Sequence, residues 1–242
     1  MPAQNRVLPF DASGSRSMKR LFSLAACTVA LAAGSAYSAT VNGKVSFVTK
    51  RGQNPVVNET LVWLEPTTGK TPKRAPMTYQ MVTRGKTLVP HVLAIPVGST
   101  VEFPNDDPIS HNLFSLSSNN SFDLGLYRRG AGKSQTFDTP GTVNVYCNVH
   151  PNMSAVILVM STPYFGFADS DGNYAITEVP TGRYRLVAWN EQGGETSTPV
   201  EITNAGAVNG NLALMLDSRT FRLTQHMNKL GKPYQAPSVK DY

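Results

Sequence analysis

Val145-Tyr146-Cys147-Asn148-Val149-His150-Pro151-Asn152-Met153 is the stretch on which the reading of this 242-residue chain turns. Val-rich alternating segments flank it at 142–147 and 155–160, and both are predicted strands. Cys147, His150 and Met153 therefore share one tight interstrand loop, short enough to aim a thiolate, an imidazole and a thioether at a common point. A further donor stands upstream in Asp107-Pro108-Ile109-Ser110-His111-Asn112, after an Asn-Asp-Asp-Pro turn. Two imidazoles and a thiolate with a weak axial methionine sulfur form the ligand set of electron-transfer copper. The thiolate couples to the metal orbital that takes the electron, the thioether favours the reduced ion, and the imidazoles accept both oxidation states. Zinc is the alternative metal, disfavoured because it rarely takes thioether. A buried thiol beside two unrelated histidines is the alternative without a metal.

Working outward, short alternating segments recur at 41–48, 60–65, 88–96, 100–103, 135–138, 174–177, 184–189, 200–203 and 212–216. Asp171-Gly172 and Asn209-Gly210 suit tight hairpins, and Thr139-Pro140-Gly141 and Pro180-Thr181-Gly182 suit turns. No long 3.6-periodic segment follows residue 40. Many short strands at this spacing predict an all-β sandwich or barrel. The Pro-, Thr- and Lys-rich stretch 67–86 reads as a linker. The polar tail 217–242 reads as at most a short helix with a disordered end.

The amino-terminal region has the order of a secretory signal: Met18-Lys19-Arg20, an apolar run over 21–33, then Ala36-Tyr37-Ser38. The apolar run is shorter than the roughly 20 residues a membrane span needs. The expectation is a signal over 1–39, with Met18 as an alternative start, cleavage after Ser38 or Ala36, and a periplasmic mature chain without a span. Cys27 as a lipidated cysteine is disfavoured, because the apolar run continues past it. Once the signal is removed only Cys147 remains, so no internal disulfide forms, and a lone thiol in an oxidising compartment calls for something to hold its sulfur. From residue 40 onward 18 Lys and Arg face 15 Asp and Glu, a net of +3 that gives no support to nucleic-acid binding.

From 88 to 160 the chain resembles cupredoxins, in Gly98-Ser99-Thr100-Val101-Glu102-Phe103, in Asn105-Asp106 leading to His111-Asn112, and in Cys147-x2-His150-Pro151-x-Met153. That last loop is similar to the short amicyanin type, with Val149 where amicyanin has proline, which leaves loop rigidity and potential open. Exported methylamine utilization proteins look similar over most of the mature chain, through Phe122-Asp123-Leu124-Gly125 and Thr162-Pro163-Tyr164. The resemblance implies one mononuclear copper on His111, Cys147, His150 and Met153, with the backbone N–H of Asn112 hydrogen-bonding the thiolate. The segments Val41-Asn42-Gly43-Lys44-Val45 and Val62-Trp63-Leu64 look like the start of a carboxypeptidase-regulatory-like, transthyretin-like sandwich. Its expected continuation comes a hundred residues later, as Asp169-Ser170-Asp171-Gly172-Asn173-Tyr174 and Pro180-Thr181-Gly182-Arg183-Tyr184. The expected architecture is thus a Greek-key cupredoxin sandwich (87–160) inserted in, or packed beside, a second sandwich built from 40–66 and 161–216.

The expected function is a periplasmic carrier of single electrons between transient protein partners. His150 would be the port, and Pro108, Pro151 and Asn152 its docking rim. A copper delivery or storage protein is the alternative, weakened by the lack of Met- or His-rich runs. An enzyme is not expected, since copper oxidases and reductases need more histidines than His91, His111, His150 and His226. Outside the loop, His91 reads as a core or edge histidine, His226-Met227 as a weak second-metal candidate, Asp169-Ser170-Asp171-Gly172 as a hairpin rather than a calcium loop, and Arg128-Arg129 as a solvated turn.

Overall fold

Alternation of buried and exposed side chains builds strands such as Ser38–Val48, Ser99–Asn105 and Ala213–Asp217. A computed structural model describes residues 38–203, 208–210 and 212–234. The signal region and Cys27 lie outside them. The strands are β1 (Ser38–Val48), β2 (Leu61–Pro66), β3 (Thr78–Gln80), β4 (Val82–Arg84), β5 (Thr87–Val89), β6 (Val92–Pro96), β7 (Ser99–Asn105), β8 (Leu113–Ser115) and β9 (Phe122–Asp123). They continue with β10 (Gly130–Phe137), β11 (Gly141–Cys147), β12 (Ser154–Met160), β13 (Phe165–Phe167), β14 (Asn173–Pro180), β15 (Gly182–Asn190), β16 (Gly194–Ile202), β17 (Val208–Gly210) and β18 (Ala213–Asp217). No described helix is long and apolar enough to cross a membrane.

The fold is all-β, with two sandwiches. In one, the sheet β14-β1-β18 faces the sheet β13-β2-β15-β16-β17, so strands from either end of the chain pair with each other. In the other, β10-β7-β4-β5, with β3 also on β7, faces β6-β12-β11-β8-β9. Between these pairs lies a third apolar layer. Along β12, Ala155, Ile157 and Val159 enter the core of the second sandwich, while Val156, Leu158 and Met160 point the other way. There they meet Val92 and Ala94 of β6, Leu61 and Trp63 of β2, and Val187 of β15. The opposite faces of β2 and β15, Val62, Leu64, Leu186 and Ala188, fill the first sandwich. A strand buried on both faces reads as a continuous apolar run, which is what Ala155-Val156-Ile157-Leu158-Val159-Met160 is.

Several expectations need correcting. The stretch 67–86 is not all linker, because β3 and β4 pair in parallel with β7. The single strand expected over 88–96 is two, broken at Pro90-His91, since proline gives no ladder donor. The strand expected from 200 begins at Gly194, and β1 begins at Ser38, with Ala39 already buried against the core. Asn209-Gly210 lies inside β17 rather than at a turn. Asp171-Gly172 does turn the chain: Gly172 has φ +84°, and an added Cβ would sit 2.3 Å from the Val45 carbonyl oxygen. The Asp169 carboxylate accepts the N–H groups of Asp171 and Asn173 at 2.9 and 2.8 Å, the hydrogen bonding of a hairpin turn. No helix forms among the described residues of the tail.

Candidate metal centre

Cys147 ends β11 and Met153 immediately precedes β12, so the loop between them is held at both ends by a strand pair in register from Gly141–Val159 to Tyr146–Ser154. Two backbone bonds close it: Cys147 N–H to the Met153 carbonyl and Met153 N–H to the His150 carbonyl, each 3.1 Å. A third, from Asn148 N–H to the Asn112 carbonyl at 2.8 Å, ties the loop to the β7–β8 connection that carries His111. That connection is fixed in turn by an antiparallel bridge of His111 with Tyr127, through reciprocal N–H···O bonds of 3.0 and 2.9 Å.

The result is a convergence of donors. His111 Nδ1 lies 3.6 Å and His150 Nδ1 3.5 Å from Cys147 Sγ, and the three ligand atoms all fall within 4.8 Å of one another. Donors bound at about 2.0–2.3 Å to one ion, at tetrahedral to trigonal angles, stand about 3.5–3.8 Å apart, so the spacing suits a shared metal. His111 and Cys147 are fully buried, and His150 is half-buried. Met153 is buried in the same apolar cluster as Cys147. Burial, then the proximity of His111 and Lys86, pushes the His150 pKa down against the opposing pull of Asp107, which favours the neutral ring.

A carboxylate orients His111. Asp107 Oδ2 accepts from Nε2 at 2.9 Å; since an ionised carboxylate only accepts, Nε2 carries the proton and Nδ1 turns its lone pair toward the sulfur. Asp107 also accepts the backbone N–H of Gly85 at 2.6 Å and of Lys86 at 2.9 Å. Burial raises its pKa, but the Lys86 and Gly85 amides and the His111 ring outweigh that, and the net shift is downward. Behind it, Asn105 Oδ1 accepts from Asp107 N–H and Thr83 Oγ1, both at 2.9 Å, while its amide donates to the Ile109 carbonyl. Asp107 is not among the candidate site residues of the sequence; an acidic residue four positions before a candidate ligand histidine is the signal that marks it.

Asn112 is buried beside His111. Its side chain donates to Asp123 Oδ1 at 2.6 Å. No hydrogen bond from its backbone N–H to Cys147 Sγ is among those of the described residues. Tyr127 Oη, buried in the same cluster, has no hydrogen-bond partner among the described residues. Burial first, and the Cys147 charge second, push its pKa up. Of the other candidates, His91 bridges the Ser154 carbonyl (3.1 Å) and Glu191 (2.6 Å), and Arg128 and Arg129 are exposed. His226 joins no metal-like cluster among the described residues, yet it lies against the 147–153 loop, a contact between distant parts of the chain that no local pattern marks.

No family model and no curated protein matches the chain. Among solved structures it is similar to a purple cupredoxin from Nitrosopumilus maritimus, at 28% identity over 34% of this chain and 99% of that one, with a TM-score of 0.31. The oxidized state of an amicyanin mutant matches at 20% identity over 34% and 81% of the two chains, TM-score 0.32. A copper-containing nitrite reductase from Thermus scotoductus SA-01 matches at 24% over 48% and 28%, TM-score 0.34. At these TM-scores, what the site can do rests on its own side chains.

Proposed function

We propose that His111, Cys147 and His150, with Met153 as a weaker fourth donor, hold one copper ion, and that the protein passes single electrons between transient partners. The observation that carries this is the approach of two imidazole Nδ1 atoms to the only cysteine sulfur of the described chain, at 3.6 and 3.5 Å, inside a closed loop. Copper bound there supplies a one-electron couple. The residues supply the rest. Asp107 keeps the His111 tautomer fixed, and burial of the thiol keeps water away from it.

His150, half-buried, would offer its ring edge to a partner. Exposed Pro108, Ile109 and Val149 lie on the two connections that carry the donors, and a small apolar rim of this kind suits brief encounters. The order of charge, apolar run and small residues over 18–38 supports export to the periplasm. The pairing of β1 with β14 and β18 supports reading 40–66 with 161–216 as one regulatory-like sandwich interrupted by the metal-binding one.

The test is the visible and electron-spin-resonance spectrum of copper-loaded protein beside Cys147→Ser. An intense thiolate-to-Cu(II) band, lost in the variant, is expected. A colourless protein that retains Cu(I) tightly would replace this reading with copper delivery or storage.

A further inference from the structure

The tail does not drift into solvent after β18. Asn228 folds it into a compact turn: its side-chain oxygen accepts the N–H groups of Leu230 and Lys232, and its own N–H donates to the Lys232 carbonyl at 2.8 Å. Three contacts from this segment then reach consecutive parts of the 147–153 loop. Tyr234 Oη donates to the Cys147 carbonyl at 2.8 Å. Lys229 N–H donates to Asn148 Oδ1 at 3.0 Å. His226 Nε2 lies 3.3 Å from the His150 carbonyl oxygen and its Nδ1 2.8 Å from the Met227 carbonyl oxygen, so the ring donates to His150 in its Nε2–H or protonated form.

Aromatic rings fix the geometry of these contacts. The His226 ring stacks on Tyr146 at 4.4 Å and 18°, and meets Tyr234 edge-on at 5.4 Å. On the far side, Lys229 Nζ reaches Asp123 Oδ2 at 2.7 Å, and Asp123 Oδ1 holds the Asn112 side chain. The tail thus touches backbone or side chain at 146, 147, 148 and 150, and reaches 112 through one carboxylate. A segment that merely covered apolar surface would have no need to set polar groups against the carbonyls of two donor residues. Its large apolar side chains Leu223, Met227 and Leu230 in fact point to solvent, at 87, 55 and 74% exposure.

We propose that residues 221–234 are a clamp on the donor loop, with Tyr234 and His226 as positioning residues that hold the backbone of Cys147 and His150. The clamp's effect on copper rests on the function proposed above; its effect on the loop does not. In the metal-free full chain, hydrogen exchange is read at the amides of Asn148 and Met153, which bond the Asn112 and His150 carbonyls. Loss of one such hydrogen bond in Tyr234→Phe, or in His226→Leu, is expected to speed exchange there about fivefold while amides of β15 are unchanged. In copper-loaded protein the same variants are expected to lose metal to a chelator severalfold faster and to shift the thiolate band. Unchanged exchange at both amides in both variants would overturn the clamp. So would equal acceleration throughout the sheets, which would make the tail a general stabiliser. Accelerated loop exchange in a protein that takes up no copper would uphold the clamp and remove the metal reading instead.

Discussion

Replacing Asp107 by Asn tests the logic of the site most sharply, because it changes one atom's chemistry with little change of shape. Oδ1 accepts the Gly85 N–H, while Oδ2 accepts both the Lys86 N–H and His111 Nε2–H. An amide has one acceptor oxygen. If its NH2 takes the place of Oδ2, it faces two donors; the Lys86 N–H is orphaned, and His111 can recover a bond only by moving its proton to Nδ1, which removes the lone pair that faces the sulfur. If the amide is flipped, the Gly85 N–H is orphaned instead. Leaving one buried donor unsatisfied costs about 1–3 kcal/mol, and the charge-assisted bonds lost are stronger than neutral ones. A destabilisation of the metal-free protein by about 2–4 kcal/mol follows, read as a lower urea midpoint with unchanged slope. Loss of the partner that orients a ligand histidine lowers metal affinity roughly 10–100-fold, measurable by competition with a chelator of known strength. An Asp107→Asn protein with the parent's urea midpoint and copper affinity would refute the role given to this carboxylate.

Other consequences are simpler. The His91 pKa is raised, chiefly by its hydrogen bond to Glu191 and against the effect of burial, so the pair's contribution is complete below the unfolded value of about 6.5 and is lost as pH rises through the higher folded value. Urea midpoints measured from pH 6 to 9 should therefore fall with a slope that Glu191→Gln flattens. Gly172→Ala forces a Cβ at positive φ against the Val45 carbonyl, and a loss of about 1–3 kcal/mol is expected, seen as a lower thermal midpoint. Ile157→Ala opens a cavity at a fully buried site on β12, between β6 and β11, and should cost about 2–5 kcal/mol by urea unfolding.

What could be read from the sequence was what lies close along it. Cys147, His150 and Met153 declare themselves by spacing and by donor type, and β12 by an apolar run that only two buried faces explain. His111 could be read from its donor type and the Asn-Asp-Asp-Pro turn before it, whereas β8, the three-residue strand that follows and pairs with β11, could not. The missed parts depend on distant partners. β3 and β4 consist of Thr78-Tyr79-Gln80 and Val82-Thr83-Arg84 among prolines and lysines, and they are strands because β7 offers them an edge. The tail's hold on the loop joins residues 87 apart, through polar side chains such as Tyr234 that composition marks only as a solvated end.

The third apolar layer bears on the donor loop as well. β12 leaves that loop with one face in the core of its own sandwich and the other among Leu61, Trp63 and Val187 of the neighbouring sheet. Tilting β12 to open the loop would disturb both layers at once, whereas in an isolated two-sheet sandwich its outer face would be free. β11, paired with β12 over six residues, inherits the same restraint. The strand behind the donors is therefore backed on its outer face by a layer that contains no donor, and an ion entering between His111, Cys147 and His150 would have little backbone left to rearrange. For the one-electron role proposed above, which calls for one site shape in two oxidation states, this matters more than the strength of any single bond. A shape fixed from outside the coordination sphere is the same before and after the electron arrives.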